Sequence, residues 1–225
     1  KDAALKYTER LSDVPEHRGT HDLGFMVFCS YGKQHEVLCD SVSAQAVVTA
    51  SKTLCERFDP QVGLIRSWDF GEWNYPVIVD NMMNLEMLFW ASAYTGDDSY
   101  RQVAISHADN TLKNHFREDA SSYHVVSYNS DGSIEKKQTW QGYSDDSAWS
   151  RGQGWGLYGY TVCYRYTGEQ RYLDQAKRIA AYLMSSPGIP QDKVPYWDLN
   201  APGTGNELAD SVKLDTVGIV DTQKG

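Results

Sequence analysis

The chain lacks long apolar runs. Nowhere do 18 successive apolar residues occur, so no segment reads as a membrane span. Basic residues are outnumbered, 21 against 30 acidic ones, and the net charge of −9 argues against nucleic acid and against a polyanion lying along the surface. A short anionic ligand stays compatible, provided its basic partners are gathered in a pocket. Cysteine is sparse and unpatterned: Cys29, Cys39, Cys55 and Cys163 form neither a CxxC pair nor a Cys/His zinc set. Cys29 and Cys163 stand in apolar runs and read as buried thiols, whereas a Cys39–Cys55 pairing is left open. No signal peptide is legible and the chain opens on Lys1, so the compartment is undecided between the cytoplasm and periplasm of a bacterium.

What is present is enough for one domain with a core: 225 residues, 41% of them hydrophobic. The clearest internal signal is a repeat. Tyr94, Thr95, Gly96 and Tyr100 match Tyr166, Thr167, Gly168 and Tyr172 at a constant offset of 72, and Ala104, Ala108 and Leu112 match Ala176, Ala180 and Met184. The spacing of four puts small and apolar residues on one helical face. Each unit reads as a helix ended by a left-handed glycine, a short turn, and an amphipathic helix that returns. A weaker copy ends its first helix at Tyr31-Gly32 and returns over 37–57.

The first helices, about 22–31, 80–94 and 151–166, are apolar nearly all round and are expected to be buried on both sides. The second helices, 98–114 and 169–185 among them, carry charge on one face, as an outer layer would. Inner helices alternating with outer ones describe an all-α toroid of stacked hairpins. Only three hairpins are complete, so residues 1–225 read as a single barrel domain that is incomplete at both ends. The connections 58–79, 116–150 and 186 onward are long and hold most of the Trp, Pro and Gly. Within the second, HVVSYNSDGSIEKKQT reads as a small β-hairpin turning near Asn129 to Gly132. Each long connection feeds the start of an inner helix, which places all those starts, and the site, at one end.

Those starts carry Asp22 in GTHDLGF, Asp80 in PVIVDNMMNLEML, and Asp145, Asp146, Trp149, Arg151 and Trp155 in QGYSDDSAWSRGQGWG. Two carboxylates at one mouth suit acid/base chemistry on a glycoside. A lone Asp at a helix start is commonly only an N-cap, and Asp145 and Asp146 read mainly as caps. Asp80 differs because it follows Val77-Ile78-Val79 and precedes two Met; an apolar setting favours a carboxyl that keeps its proton, while the helix dipole opposes this. Arg151 suits a carboxylate ligand, with an ion pair to Asp146 as the structural alternative. Trp149 and Trp155 either stack on a sugar or pack. His124, in the strand, and Gln141, between Trp140 and Tyr143, are equally open.

With these stretches in view, the sequence resembles the unsaturated glucuronyl hydrolases of glycoside hydrolase family 88. The similarity is carried by THDLGFM, SWDFGEWNYPVIVDNMMNLEML, HVVSY, QGYSDDSAWSRGQGWGLYGYT and PYWDLNAPG, over about residues 15–204. The resemblance implies an (α/α)6 barrel acting on lyase-generated oligosaccharides that carry a 4,5-unsaturated uronic acid at the non-reducing end. It implies hydration of the vinyl ether, with Asp80 as general acid and base and Asp22 as its partner. It makes Trp68, His124, Gln141, Trp149, Arg151 and Trp155 sugar-binding positions, and it calls for no cofactor and no metal. The text after PYWDLNAPG departs from the family pattern. Two other readings stand beside it. One is the unsaturated rhamnogalacturonyl hydrolases, which generally carry RGN where this chain has Arg151-Gly152-Gln153. The other is a non-catalytic carbohydrate-binding toroid.

Overall fold

The computed structural model describes residues 2–202. After α1 (Asp2–Thr8) come a π-helix (Gly24–Gly32), α2 (Lys33–Leu38) and α3 (Ser41–Cys55). Short strands β1 (Phe58–Asp59), β2 (Leu64–Ile65) and β3 (Pro76–Ile78) lead to a 3₁₀ segment (Val79–Asn84) that runs into α4 (Leu85–Thr95). Then follow α5 (Asp98–Asn114), β4 (Val125–Tyr128), β5 (Ile134–Gln138), α6 (Ser150–Thr167) and α7 (Gln170–Ser185). Within the described residues no helix is long and apolar enough to cross a membrane.

The repeat is physical. Gly96 and Gly168 both take left-handed conformations, φ 76° and 71°, and their N–H groups return to Ser92 O and Tyr164 O. These are the caps the sequence pattern requires, at positions where a Cβ would be strained. Asp97 then caps α5 by accepting from Ser99 N at 2.9 Å. Ala104, Ala108 and Ala176 are buried as the repeat implies. Met184 is not: it is 84% exposed, while its neighbour Leu183 packs against the core.

The first copy departs from expectation. Its helix does not stop at Gly32 but continues as α2 to Cys39, which supplies the left-handed residue (φ 53°). Gly32 answers to packing instead: a Cβ there would come 2.7 Å from Phe28 Cδ2. The winding is π rather than α over Gly24–Gly32, a form that inserts an extra residue per turn and that apolar periodicity does not reveal. Burial of the inner segments also differs from expectation. In α4, Leu85, Met87, Leu88, Phe89 and Ala91 are all buried. Along α6, however, Arg151, Gly154, Thr161 and Arg165 are exposed, and Cys29 on the π-helix is exposed rather than buried. All four thiols are free; burial raises the Cys163 thiol and pushes Cys55 up to about 12.

The hairpin β4–β5 forms around the Asn129–Gly132 turn, Gly132 having φ 82°. It gains a third strand: β3 pairs antiparallel with β4, Ile78 opposite Val125. This sheet matters for the site, since β3 runs straight into the 3₁₀ segment that carries Asp80. Glycines let α6 press against that segment. A Cβ at Gly159 would lie 2.5 Å from Met82 Cβ, and one at Gly152 would lie 2.9 Å from Val79 Cγ1.

Candidate active site

Asp22 stands just ahead of the π-helix. Thr20 Oγ1 accepts from Asp22 N at 3.0 Å and donates to its Oδ2 at 3.3 Å, while the carboxylate is about half exposed. Its neighbour His21 is buried, with Nδ1 2.7 Å from the Ser67 carbonyl and Nε2 3.2 Å from Asp22 Oδ1. Burial lowers the pKa of His21, opposed in part by Asp22 and the Ser67 carbonyl.

Asp80 is more enclosed, 8% exposed, in the first turn of the 3₁₀ segment. His124 Nε2 lies 3.8 Å from its Oδ2. His124 is held by two backbone donors, Trp140 N and Gln141 N, both about its Nδ1 at 3.1 and 3.0 Å. Burial, reinforced by the positive charge of Arg151, pushes its pKa down to about 3, so it is neutral near pH 7.

The two aspartate motifs are tied together by hydrogen bonds. Ser67 is the hub: its carbonyl faces His21, and its Oγ accepts from Ile78 N at 2.9 Å and Asn81 Nδ2 at 3.1 Å. Asn81 Nδ2 also reaches Ile65 O, Asn84 Nδ2 donates to Asn81 Oδ1, and Asn84 Oδ1 accepts from Gly24 N at 2.8 Å. A Cβ on Gly24 would sit 2.5 Å from Asn84 Oδ1, so only glycine lets the π-helix close on this chain. Each link is a buried polar group whose loss costs about 1–3 kcal/mol.

Other named residues gather around His124. Its ring lies 4.5 Å from Trp149, and the Arg151 guanidinium stands 4.5 Å over the same indole. Trp149 is 3% exposed, so it serves as the backing of Arg151 rather than as an open platform. Gln141 is partly buried in the loop whose N–H meets His124. Trp155 is partly exposed and meets Phe25 of the π-helix edge-on at 4.8 Å, which links the starts of two inner segments. Trp68 is buried: Phe70 stacks on it at 5.3 Å and Trp73 abuts its edge, leaving Phe70 as the exposed ring of that group.

Asp145 and Asp146 do not cap α6. The helix starts at Ser150 with Trp149 as its N-cap, and Asp145 Oδ1 instead accepts from Thr139 N within the loop. The loop is fixed by residues that sequence reasoning passed over. Buried Asp198 accepts from Ser147 Oγ and Tyr143 N, and Leu199 N reaches Ala148 O, so PYWDLN is clamped beneath the α6 start. Gln153 is a clamp too: its Oε1 accepts from Ser122 N and its Nε2 donates to Ala120 O. Its place is structural, against the segment Ala120–Ser122 that leads to His124, which lies one residue ahead of β4 rather than within it. The spacing of Asn81 and Asn84 on one helical face was the available sign of the Asp80 network; Ser67 and Asp198 lie in the quoted SWDFG and PYWDLNAPG stretches, but no local pattern marked them as anchors. Among the described residues no group of three or more His, Cys, Asp or Glu is placed to hold a metal ion.

No protein-family model matches the chain. It is 43% identical over 203 residues, 88% of its length, to an unsaturated glucuronyl hydrolase of Formosa agariphila, of which this covers 51%. A crystal structure of an unsaturated glucuronyl hydrolase specific for heparin superposes with a TM-score of 0.86 at 44% identity, covering 88% of this chain and 54% of that one. A variant of the Streptococcus agalactiae enzyme complexed with dGlcA-GalNAc6S matches at 31% identity and TM-score 0.66, over 87% of this chain and 47% of the other. The chain thus spans about half the length of the relatives it matches. Over that span it is a homologue of the unsaturated glucuronyl hydrolases, glycoside hydrolase family 88.

Proposed function

We propose that the chain supplies the catalytic end of an (α/α)6 barrel, as a single domain, that removes a 4,5-unsaturated glucuronic acid from the non-reducing end of lyase-generated, glycosaminoglycan-type oligosaccharides. The observation that carries this is the Ser67–Asn81–Asn84–Gly24 chain, which joins the Asp22 and Asp80 motifs. A relative of this chain holds an unsaturated disaccharide of that class. The acidic surface supports a short substrate over a polymer, with Arg151 as the basic group beside the site.

In this reading Asp80 delivers its proton to C4 of the vinyl ether, and positive charge develops at C5 and the ring oxygen. Asp22 stabilises that charge. Water adds at C5 and gives its proton to Asp80, restoring the acid. The resulting hemiketal opens and releases the remaining sugar. Arg151, oriented by Trp149, pairs with the uronate carboxylate. His124 and Gln141 contact polar groups of the sugar and the half-exposed Trp155 offers a ring face. Trp68 acts from beneath, through Phe70.

The experiment follows ultraviolet absorbance of the double bond in chondroitin, heparin, hyaluronan and pectin lyase products, in deuterated water. Loss of absorbance with deuterium at C4 of the product is expected for the glycosaminoglycan-derived substrates. Binding without absorbance loss would leave a carbohydrate-binding toroid, and product lacking deuterium at C4 would exclude vinyl-ether hydration.

A further inference from the structure

The two histidines beside the aspartates are fixed with opposite polarity. His21 Nδ1 faces a carbonyl, Ser67 O at 2.7 Å, which can only accept. That nitrogen must carry the proton, which leaves an Nε2 lone pair 3.2 Å from Asp22 Oδ1 but out of line with it. His124 Nδ1 faces two N–H groups, those of Trp140 and Gln141, which can only donate. In the neutral ring the proton is therefore on Nε2, which lies 3.8 Å from Asp80 Oδ2. Both Nε2 atoms are buried and make no aligned hydrogen bond.

A lone pair against an ionised carboxylate oxygen is repulsive at this distance, and a single proton between them removes the conflict. We propose that His21 is a positioning residue for Asp22: held by Ser67 as the Nδ1–H tautomer, it shares one proton with the Asp22 carboxylate, whereas His124 presents an N–H to Asp80. The inference rests on the assignment of Asp22 and Asp80 to the reaction, but its geometry does not. Asp22 is free to complete the contact, since the carboxylate is half exposed and its other oxygen is met by the Thr20 hydroxyl at 3.3 Å. The charged and titratable groups around His21 are Asp22 on its own turn, Arg57 following α3, His107 on α5 and His124 just ahead of β4. Burial and the Arg57 charge disfavour a full imidazolium, and the Asp22 charge favours one. A shared proton on a net-neutral pair fits this balance.

The test uses the full 225-residue chain labelled with ¹⁵N in histidine. Long-range proton–nitrogen spectra report which ring nitrogen is protonated, and His21→Gln and His124→Gln assign the signals by their loss. The expected result is an Nδ1-protonated His21 and an Nε2-protonated His124 near pH 7, their nitrogen shifts in reversed order. His21 Nε2 should move with pH, and Asp22→Asn should abolish that movement while leaving the Nδ1–H in place. The same tautomer for both rings, or an unchanged His21 titration in Asp22→Asn, overturns the proposal. Turnover by Asp80→Asn is read separately. If that variant keeps full activity, the catalytic assignment fails while the tautomers stand. A dead Asp80→Asn with matching tautomers makes the proton-sharing pair alone the failure.

Discussion

Asp22 and Asp80 open successive inner segments of one repeat, yet their surroundings are built on different terms. Asp80 is enclosed by packing: a sheet strand delivers it, Val79 and Met82 beside it meet glycines of α6, and His124 stands over it. Asp22 is half exposed, on a π-wound segment tied to the rest by a line of hydrogen bonds through Ser67 and Asn84. Packing fixes a side chain to within small displacements, whereas a surface carboxylate keeps rotamer freedom. The difference is one of enclosure: the group that must deliver a proton to carbon is buried, and the group that answers developing charge is half exposed and held through Thr20.

The sharpest way to break this comparison is to neutralise each carboxylate in a preparation that turns over an unsaturated disaccharide. Asp80→Asn is expected to lower the rate roughly 10²–10⁴-fold, the usual worth of a positioned acid, with substrate affinity nearly unchanged because the amide keeps the shape. Asp22→Asn should lower it less, with a change in the pH profile that Asp80→Asn does not share. Equal losses with identical profiles would mean that the two surroundings do not translate into two roles.

A second effect concerns two buried histidines, His124 beside Asp80 and His107 of α5, which accepts from Ile65 N. Burial pushes both His107 and His124 down to about 3. The unfolded chain binds a proton at each near pH 6.5, and the folded protein does not until about pH 3, so between these values the unfolded state carries more protons. Stability is therefore full above about pH 6.5 and falls as pH is lowered toward 3, by up to about 1.4 kcal/mol per pH unit for each histidine. Urea midpoints from pH 7 to pH 5 should decline accordingly. His124→Gln should flatten the decline; an unaltered slope would mean that His124 is solvated in the folded state.

Much of this was legible before any coordinates, and the failures have physical causes. The Gly96 and Gly168 caps, α5, α7 and the hairpin at Asn129–Gly132 were readable because left-handed glycine and amphipathic spacing are local signals. The π-winding of 24–32 was not, since apolar residues at a buried segment fit either winding. The extra strand β3 was hidden because three residues carry no periodicity. The gathering of His124, Trp149 and Arg151 follows from the motif order, but the tautomer of each histidine depends on long-range partners, Ser67 carbonyl 46 residues from His21 among them. Asp145 and Asp146 misled for the opposite reason: a favourable cap residue precedes the helix, but PYWDLN pulls the loop so that the helix starts later.

Glycine substitutions sharpen the comparison on the scale of stability. Gly159→Ala drives a methyl into Met82 on the Asp80 side, and Gly24→Ala drives one into Asn84 on the Asp22 side. Both should cost about 1–3 kcal/mol in chemical denaturation, as overpacking does. Both variants meet backbone as well as side chain at 2.8 Å, Met82 O for Gly159 and Asn84 Cα for Gly24, so their costs should be of similar size. Gly24→Ala also displaces the acceptor of its own N–H, so it should disturb the Asp22 region selectively, visible as a changed His21 signal with His124 unmoved.

The smallest effect is the most telling about the open face of α6. Gly154 lies in the interior of that helix with no atom within 4 Å of where a Cβ would stand, and it is exposed beside Met184 and Ile189. Nothing in its backbone calls for glycine, because φ is not in the left-handed range. In the 225-residue chain Gly154→Ala should therefore raise stability by roughly 0.5–1 kcal/mol, the gain of removing backbone freedom from the unfolded state. In a protein in which further hairpins close the ring against this face, the same methyl meets a neighbour. The gain should then shrink, and it should turn into a loss if the approach is as tight as that of Gly159 to Met82. Measuring the variant in both settings separates a glycine kept for close helix packing from one that packing does not use. A gain of the same size in both would mean that this face of α6 lines open space even in the closed barrel.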